Sequence, residues 1–212
     1  MLLFDIQSAA LVLGGTLAAT LLRSGWRNFR AAGRAITHLA ERSFDSDTVR
    51  AELAAQVREI QEDGLVRAVP HHMGDGEFDE LSDSLIRHRS IKALHTEHER
   101  YKVRRQRAAE AATRVLGDAA DLAPVLGLAG TLLALAMSSG AAEADYARSI
   151  GTAVITTLYG LVLANFVFSP LAGAIGRRAR AEERARQEVL DWLAHALERC
   201  LPTGRADGKE AA

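Results

Sequence analysis

The chain has 212 residues, enough for one or two domains. Its 26 basic and 27 acidic side chains give a formal net charge of -1, which excludes the strong positive field of a nucleic-acid-binding protein. The mean hydropathy of -0.02 matches an ordinary soluble protein, yet the apolar residues are concentrated in three runs without charge. These runs have 17 residues from Ile6 to Leu22, 21 from Leu122 to Ala142 and 27 from Ile150 to Gly176.

A membrane-spanning helix needs about 20 mostly apolar residues in succession, and the three runs meet or approach this length. The sequence therefore predicts an all-α integral membrane protein with three transmembrane helices and long cytoplasmic helical extensions. The predicted transmembrane helices cover residues 1–22, 119–140 and 150–176.

The first predicted transmembrane helix has the charges of a retained span rather than those of a cleaved signal peptide. A signal peptide carries its basic residues before the apolar run. Here the acidic Asp5 precedes the run. The basic residues follow it and are Arg23, Arg27, Arg30 and Arg34.

The basic residues also set the predicted orientation. Of the 26 Lys and Arg residues, 17 lie between Arg23 and Arg114 and eight lie from Arg177 onward, whereas the connector 141–149 holds only Arg148. Loops rich in Lys and Arg stay in the cytoplasm. We therefore expect the N-terminus and a periplasmic connector at 141–149 to face outward, and residues 23–118 to be cytoplasmic.

Region 23–118 is predicted to be helical. Four apolar residues recur every three or four positions and form one stripe, namely Val49, Leu53, Val57 and Ile60. Candidate helix caps precede this stripe at Asp45, Ser46 and Asp47. Gly64 is a natural stop, and the stretch 69–78, with one Pro and two Gly, is a break. From Ser90 onward the chain is predicted to run as one long helix into the second transmembrane helix.

After the third transmembrane helix, residues 177–202 are predicted to form a charged amphipathic helix on the cytoplasmic side. Its apolar face consists of Val189, Leu190, Leu193 and Leu197, with Trp192 beside it. Residues 203–212 are expected to form a polar tail.

Metal and catalytic motifs are scarce. His95 and His98 lie near Glu97 and Glu99 in a helical stretch, but a structural metal site needs three or four convergent ligands, and neither HExxH nor CxxC occurs. The sequence also lacks GxSxG and a Walker-type phosphate loop. We therefore predict no metal, no cofactor and no enzymatic activity.

Small and hydroxyl-bearing residues distinguish the second and third predicted transmembrane helices. Gly127 and Thr131 are four residues apart, as are Gly160 and Ala164, and this spacing lets helices approach closely. Thr152 and Thr156 share a face, and Thr157 widens it. Such hydroxyls either bond back to a carbonyl of their own helix or line a narrow ion path. No Asp, Glu, Lys, Arg or His occurs in either uncharged run, so the titrating group of an ion path must come from another chain.

Two segments resemble the MotA/TolQ/ExbB proton channel family. They are "DLAPVLGLAGTLLALA" at 121–136 and "SIGTAVITTLYGLVLANFVFSPLAGAI" at 149–175. The shared pattern is acid-x-x-Pro-x-x-Gly-x-x-Gly-Thr in one helix, then Thr-Thr-x-x-Gly and a downstream Pro in the next. The segment "SAALVLGGTLAATLL" at 8–22 further resembles the second transmembrane helix of flagellar stator A subunits.

This resemblance implies a multi-pass protein of the bacterial inner membrane that forms a homo-oligomer, a pentameric ring around a B-type partner (MotB, TolR or ExbD). The partner has a single transmembrane helix that carries an Asp, and the flow of protons or sodium ions past this Asp drives rotation or force. By position, Thr131 and Thr157 match the hydroxyls that line the ion path, with Thr156 beside them. Pro124 and Pro170 match prolines at the cytoplasmic helix ends.

The sequence departs from both branches of the family. The TolQ/ExbB branch carries a Glu where this chain has Thr152, which favours the flagellar stator branch. Flagellar A subunits have four transmembrane helices, however, and their torque-generating charges align near Gln61 and Val69, which are uncharged. A TolQ/ExbB-like energiser of outer-membrane transport or envelope integrity therefore remains an alternative. A second alternative is a non-conducting membrane scaffold whose Arg-rich helices bind anionic lipid or a partner.

Overall fold

The computed structural model describes residues 6–41, 44–63, 75–88, 91–138 and 143–198. These residues form six α-helices and one π-helical segment and contain no strand. The elements are α1 (Ile6–Ala40), α2 (Ser46–Asp63), α3 (Gly76–His88), α4 (Ile91–Met137), α5 (Glu143–Val162), the π-helical segment Leu163–Phe168 and α6 (Ser169–Glu198). The predicted stop at Gly64, most of the break at 69–78, part of the connector at 141–149 and the tail 203–212 lie outside the described residues.

The all-α prediction is confirmed. Within the described residues, three helical stretches are long and apolar enough to cross a membrane, and they lie in Ser8–Ala40, Lys92–Met137 and Tyr146–Leu197. The predicted continuous helix into the second apolar run is present as the 47-residue α4. The third apolar run continues without a break into α6, as predicted, but it passes through a π-helical segment that the sequence did not indicate.

The structure divides into two compact units, of which the first contains the described parts of 1–42 and 106–179. Its helices pack through small side chains, so that Ala112, Ala119 and Ala123 of α4 are almost fully buried. Helix α1 is kinked at Gly25, whose φ of 77° lies in the left-handed region that a residue without Cβ adopts at little cost. The Arg178 guanidinium donates hydrogen bonds of 2.8 Å to the carbonyls of Leu39 and Glu41 and so caps the end of α1.

The second unit contains the described parts of 43–105 and 180–212. The two predicted apolar stripes meet in its core. All eight side chains of these stripes are buried, and they are Val49, Leu53, Val57, Ile60, Val189, Leu190, Leu193 and Leu197. Trp192 is partly buried against this core. The predicted cap is also observed, because the Asp45 carboxylate accepts hydrogen bonds from the backbone N–H groups of Asp47 and Thr48.

A buried ionic network lies in this second unit. The Glu77 side chain is only 3% exposed and accepts hydrogen bonds from Arg105 and, at 2.9 Å, from Arg186. His98 Nδ1 lies 2.9 Å from Glu77 Oε1, and Arg186 also donates to Asp75 Oδ2 at 2.8 Å. The Arg186 guanidinium stacks over the Phe44 ring at 4.2 Å from its centroid. The network therefore links α3, α4 and α6 within the unit.

The network keeps two carboxyl groups ionised. Burial opposes ionisation and is the largest influence on Glu77, but the hydrogen bond to His98 and the charges of Arg105 and Arg186 together hold its pKa below the ordinary value of 4.5. Burial likewise opposes ionisation of Asp75, and Arg186 together with two backbone N–H groups holds the pKa of this carboxyl below 3.8. The folded unit therefore binds protons at these sites more weakly than the unfolded chain does.

The first prediction concerns the pH dependence of stability in this unit. Because both pKa values are lowered by folding, their stabilising contribution is complete above about pH 4.5 and is lost as the pH falls through the folded pKa values. Glu77→Gln removes the buried carboxylate that Arg105 and Arg186 share, while Arg105 keeps Glu183 and Arg186 keeps Asp75. It should therefore lower the free energy of unfolding at neutral pH by about 2 kcal/mol and flatten the acid dependence. Urea unfolding followed by Trp192 fluorescence, in a Trp26→Phe background, measures both effects.

Glu97→Gln is the matched control for this prediction. Glu97 also pairs with an arginine, but Arg100 is 68% exposed and the pair is solvated. Its loss should change the free energy of unfolding by less than about 1 kcal/mol. Equal effects of the two substitutions would contradict a special role for the buried network.

Candidate functional site

Helices α4 and α5 approach each other most closely at three glycines. A Cβ atom built on Gly160 would lie 2.6 Å from the Ala123 carbonyl oxygen, and one built on Gly127 would lie 3.1 Å from the Thr156 carbonyl oxygen. Both conflicts are with backbone atoms, which cannot rotate away. A Cβ on Gly130 would instead collide with the Thr156 methyl group. At Gly127 and Gly160 the two helices thus meet backbone to backbone, and at Gly130 the Thr156 side chain fills the space that a Cβ would occupy.

The three candidate hydroxyls differ in burial. Thr156 is 1% exposed, because its side chain is enclosed at the contact with Gly130. Thr131 and Thr157 are partly exposed. Thr157 is nevertheless tied to the same contact, since its Cα lies 3.3 Å from a Cβ built on Gly127. The fold therefore places Thr156 and Thr157 beside the close approach of α4 and α5.

Each of these hydroxyls donates to a carbonyl of its own helix. Thr131 Oγ1 donates to Leu128 at 2.6 Å, Thr156 Oγ1 to Thr152 at 2.7 Å and Thr157 Oγ1 to Ala153 at 3.4 Å. Back-bonding uses the single proton of a hydroxyl but leaves the oxygen able to accept. The partly exposed hydroxyls of Thr131 and Thr157 therefore present acceptor oxygens within otherwise apolar helices.

The two candidate prolines lie inside α4 and near the start of α6. Pro124 lies inside α4, directly after Ala123, whose carbonyl faces Gly160. Pro170 is the second residue of α6 and follows the π-helical segment. A proline lacks the N–H that would continue the helical ladder. Single π-turns within α-helices are frequently found at functional sites, and this one directly precedes a candidate proline.

A further hydroxyl stripe on α1 was missed by the sequence analysis. Thr16 and Thr20 are 0% and 1% exposed, and they donate 2.6 Å hydrogen bonds to the carbonyls of Val12 and Thr16. Ser8 and Val12 are buried on the same face. The four-residue spacing of Ser8, Val12, Thr16 and Thr20 was the available signal. It places these residues in one row along the helix.

The charges nearest to this site lie at the ends of the apolar runs. Ser24 Oγ donates to Asp118 at 3.0 Å, and Arg23 Nε lies 3.3 Å from the same carboxylate. The two histidines of the weighed metal site belong to the second unit, where His98 is part of the ionic network and His95 is exposed on α4. Within the described residues no cluster of three His, Cys, Asp or Glu could hold a metal ion.

The fold and the site define a class of protein: a helical membrane protein with a glycine-mediated helix contact flanked by hydroxyls. The model of the MotA/TolQ/ExbB proton channel family matches residues 71–188, which is more than half of the chain. The chain belongs to this family. The resemblance in the sequence analysis is thereby confirmed.

Relatives and solved structures agree with this membership. The chain is 26% identical over 198 residues to Motility protein A of Cereibacter sphaeroides, which covers 89% of the chain and 76% of that protein. It is 27% identical over 203 residues to the chemotaxis protein PomA of Vibrio alginolyticus, with the same coverage. The fold is similar to that in the C. jejuni MotAB structure, with a TM-score of 0.80 over 96% of this chain and 87% of that one, at 14% identity.

The glycine contacts generate a second prediction. Gly160→Ala should force α4 and α5 apart, because the new methyl group would meet the Ala123 carbonyl, and it should lower the thermal unfolding temperature of the chain in detergent. Gly151→Ala is the matched control in the same helix, since a Cβ there meets nothing within 4 Å. This control should leave stability unchanged or raise it slightly, because Ala favours the helix by up to about 1 kcal/mol.

Gly130→Ala provides a stricter version of the same test. Its new methyl group would collide with the Thr156 methyl group, which Thr156→Ser removes while keeping the hydroxyl. The double variant should recover most of the stability lost in Gly130→Ala. Thr156→Ser should not rescue Gly160→Ala, whose conflict is with backbone. A rescue of both variants, or of neither, would show that the contact does not have this geometry.

Proposed function

We propose that the chain is the ring-forming subunit of an ion-driven motor complex in the bacterial inner membrane, of the flagellar stator type. The observation that carries this proposal is the pairing of accessible hydroxyl oxygens on α4 and α5 with the absence of any Asp, Glu, Lys, Arg or His in 122–142 and 150–176. A path for protons or cations needs polar atoms and usually a titrating group. In the proposed complex, a partner chain supplies the titrating group, and hydroxyl oxygens of α4 and α5 in this chain line the path.

Within the proposed path, the three threonines have different parts. Thr131 and Thr157 are partly exposed, and their back-bonded hydroxyls offer acceptor oxygens to a passing cation. Thr156 is buried against Gly130 and fixes the spacing between the two helices. Pro124 and Pro170 bound the path on the cytoplasmic side, and Gly127, Gly130 and Gly160 hold its two helices together.

The proposed partner is a B-type subunit with one transmembrane helix and a membrane Asp, enclosed by a homo-oligomeric ring of about five copies. Support for a partner and a ring comes from apolar side chains that the single chain leaves exposed on its spans. They include Leu132 at 69%, Val154 at 65% and Leu158 at 52%. Support also comes from the similarity in fold to MotAB complexes.

A second candidate function is a TolQ/ExbB-like energiser of outer-membrane transport or envelope integrity. The family model that matches the chain includes TolQ and ExbB as well as MotA. Thr152 opposes it, since that branch carries a Glu at this position. The two functions differ in the periplasmic part of the partner, which binds peptidoglycan in a stator and is short in a transport energiser.

Thr157→Val tests the proposed path. Valine keeps the shape of threonine but removes the acceptor oxygen, so assembly should persist while ion-driven activity falls at least tenfold. Thr157→Ser keeps the oxygen and should retain most of the activity. Proton flux into vesicles that contain the chain and its co-expressed partner measures both variants. Unchanged flux in Thr157→Val would mean that the hydroxyl serves only its bond to Ala153.

Mild solubilisation tests the proposed partner. The chain should co-purify with a single-span protein that carries an Asp in its membrane segment, at a ratio of several copies to two. The control is the Gly160→Ala variant, in which the disturbed contact of α4 and α5 should weaken this association. Recovery of a stable monomer without any such protein would overturn the proposed function.

A further inference from the structure

Helix α1 carries a basic and aromatic surface just after its kink. We define this surface as Trp26, Arg27 and Arg30, and call it the basic face of α1. Trp26 is 62% exposed, and both arginines are exposed as well. Residues 26 and 30 are one turn apart, and residue 27 lies beside them, so the three side chains project from one side of the helix.

The opposite side of the same segment of α1 packs into the core of the first unit. Ala32 is 4% exposed, and Phe29, Ala35 and Leu39 are partly buried against the same cluster. At about 100° per residue, these positions point away from Arg27 and Arg30. The orientation of the basic face is therefore fixed by packing on the other side, and the face itself is left to an external ligand.

The contacts between α1 and α4 place the basic face at a defined level. Leu11 lies against Gly130, Gly15 against Leu126, and Ser24 binds Asp118. The two helices thus run antiparallel with one register through the apolar part. The apolar run of α1 ends at Leu22, and Trp26 and Arg30 follow it just beyond the kink at Gly25. Ala32 packs in the same cluster as Ala112 and Val115 of α4, so the antiparallel course continues past the kink.

The position of Trp26 and Arg30 just beyond the apolar run of α1 corresponds to the headgroup layer of a bilayer. That layer is about 5–7 Å thick on each side of the hydrocarbon core, and an arginine side chain extends several ångströms toward it. Tryptophan is enriched at the same membrane interface. Arg34 lies on the same side of α1 but is about 10 Å farther along the helix than Arg27, and therefore beyond the headgroups.

The two arginines of the basic face have no carboxylate partner of the kind that Arg23 has. Arg23 pairs with Asp118, whereas none of the ion pairs among the described residues involves Arg27 or Arg30. A guanidinium binds a phosphate through two parallel hydrogen bonds. The chemistry that complements this face is an anionic phosphate with an acyl chain attached.

We propose that the basic face of α1 is a binding site for an anionic phospholipid of the cytoplasmic leaflet. Arg27 and Arg30 bind the phosphate of the headgroup, and the Trp26 ring packs against the glycerol and upper acyl chain. The site lies within one unit of the chain and is independent of the proposed ion path. It gives the membrane-proximal part of α1 a lipid-dependent anchor.

Quenching of Trp26 by brominated lipid tests this proposal. The full chain, with Trp192→Phe so that Trp26 is the only tryptophan, is placed in nanodiscs of phosphatidylcholine that contain a small fraction of brominated phosphatidylglycerol. Quenching should exceed that by brominated phosphatidylcholine at the same fraction, because the acidic lipid is enriched at the site. High salt should reduce the difference.

The arginine variants identify the source of the enrichment. Arg27→Gln should reduce the preference for phosphatidylglycerol about fivefold, the equivalent of about 1 kcal/mol per basic residue. Arg34→Gln removes the same charge farther from the membrane and should leave the preference nearly unchanged. Circular dichroism shows whether each variant keeps its helical content.

Three results would overturn the proposal. Equal quenching by the two lipids in the parent chain would remove the preference. Equal losses in Arg27→Gln and Arg34→Gln would reveal a general effect of net charge. Protection of Trp26 from both brominated lipids would show that another protein surface covers the face.

Discussion

The backbone contact between α4 and α5 is the constraint on which the membrane part of this structure depends. Gly160 lies against the Ala123 carbonyl and Gly127 against the Thr156 carbonyl, so no side chain separates the helices there. In a bilayer, helices gain little from burying apolar surface, and close packing of small residues is what holds them together. The same contact encloses Thr156 and sets Thr157 beside it. The close packing of α4 and α5 and the positions of Thr156 and Thr157 therefore both follow from the same backbone contact.

The sequence was most informative where structure follows from periodicity or local chemistry. The spacing of Val49, Leu53 and Val57 predicted a buried stripe, because a helix returns to the same face every three to four residues. The cap at Asp45 was recognisable from its own side chain. The predicted packing role of the glycines of α4 and α5 came from their four-residue spacing from other small residues, which is also a local pattern. The three apolar runs predicted the class of fold, because the length of an apolar run is also a local feature of the sequence.

The features that could not be predicted depend on partners far apart in the sequence. Glu77 is ionised in a buried site only because Arg105 and Arg186 converge on it from positions 28 and 109 residues away. No local pattern marks such a pairing, and His98 was accordingly weighed as a metal ligand rather than as a member of this network. The π-helical segment is similar: Leu163–Phe168 has no residue that breaks an α-helix.

The distribution of hydrogen-bond donors bears on which ions a path along α4 and α5 accommodates. Thr131 and Thr157 each donate their only hydroxyl proton to a carbonyl of their own helix. Such an oxygen can accept a hydrogen bond or coordinate a cation but has no proton left to donate to an anion. With no basic side chain in either apolar run, the surface that this chain contributes to the proposed path would favour cations over anions before any titrating group is added. Back-bonding and ion conduction, which were competing explanations for each threonine, are therefore compatible within the proposed function.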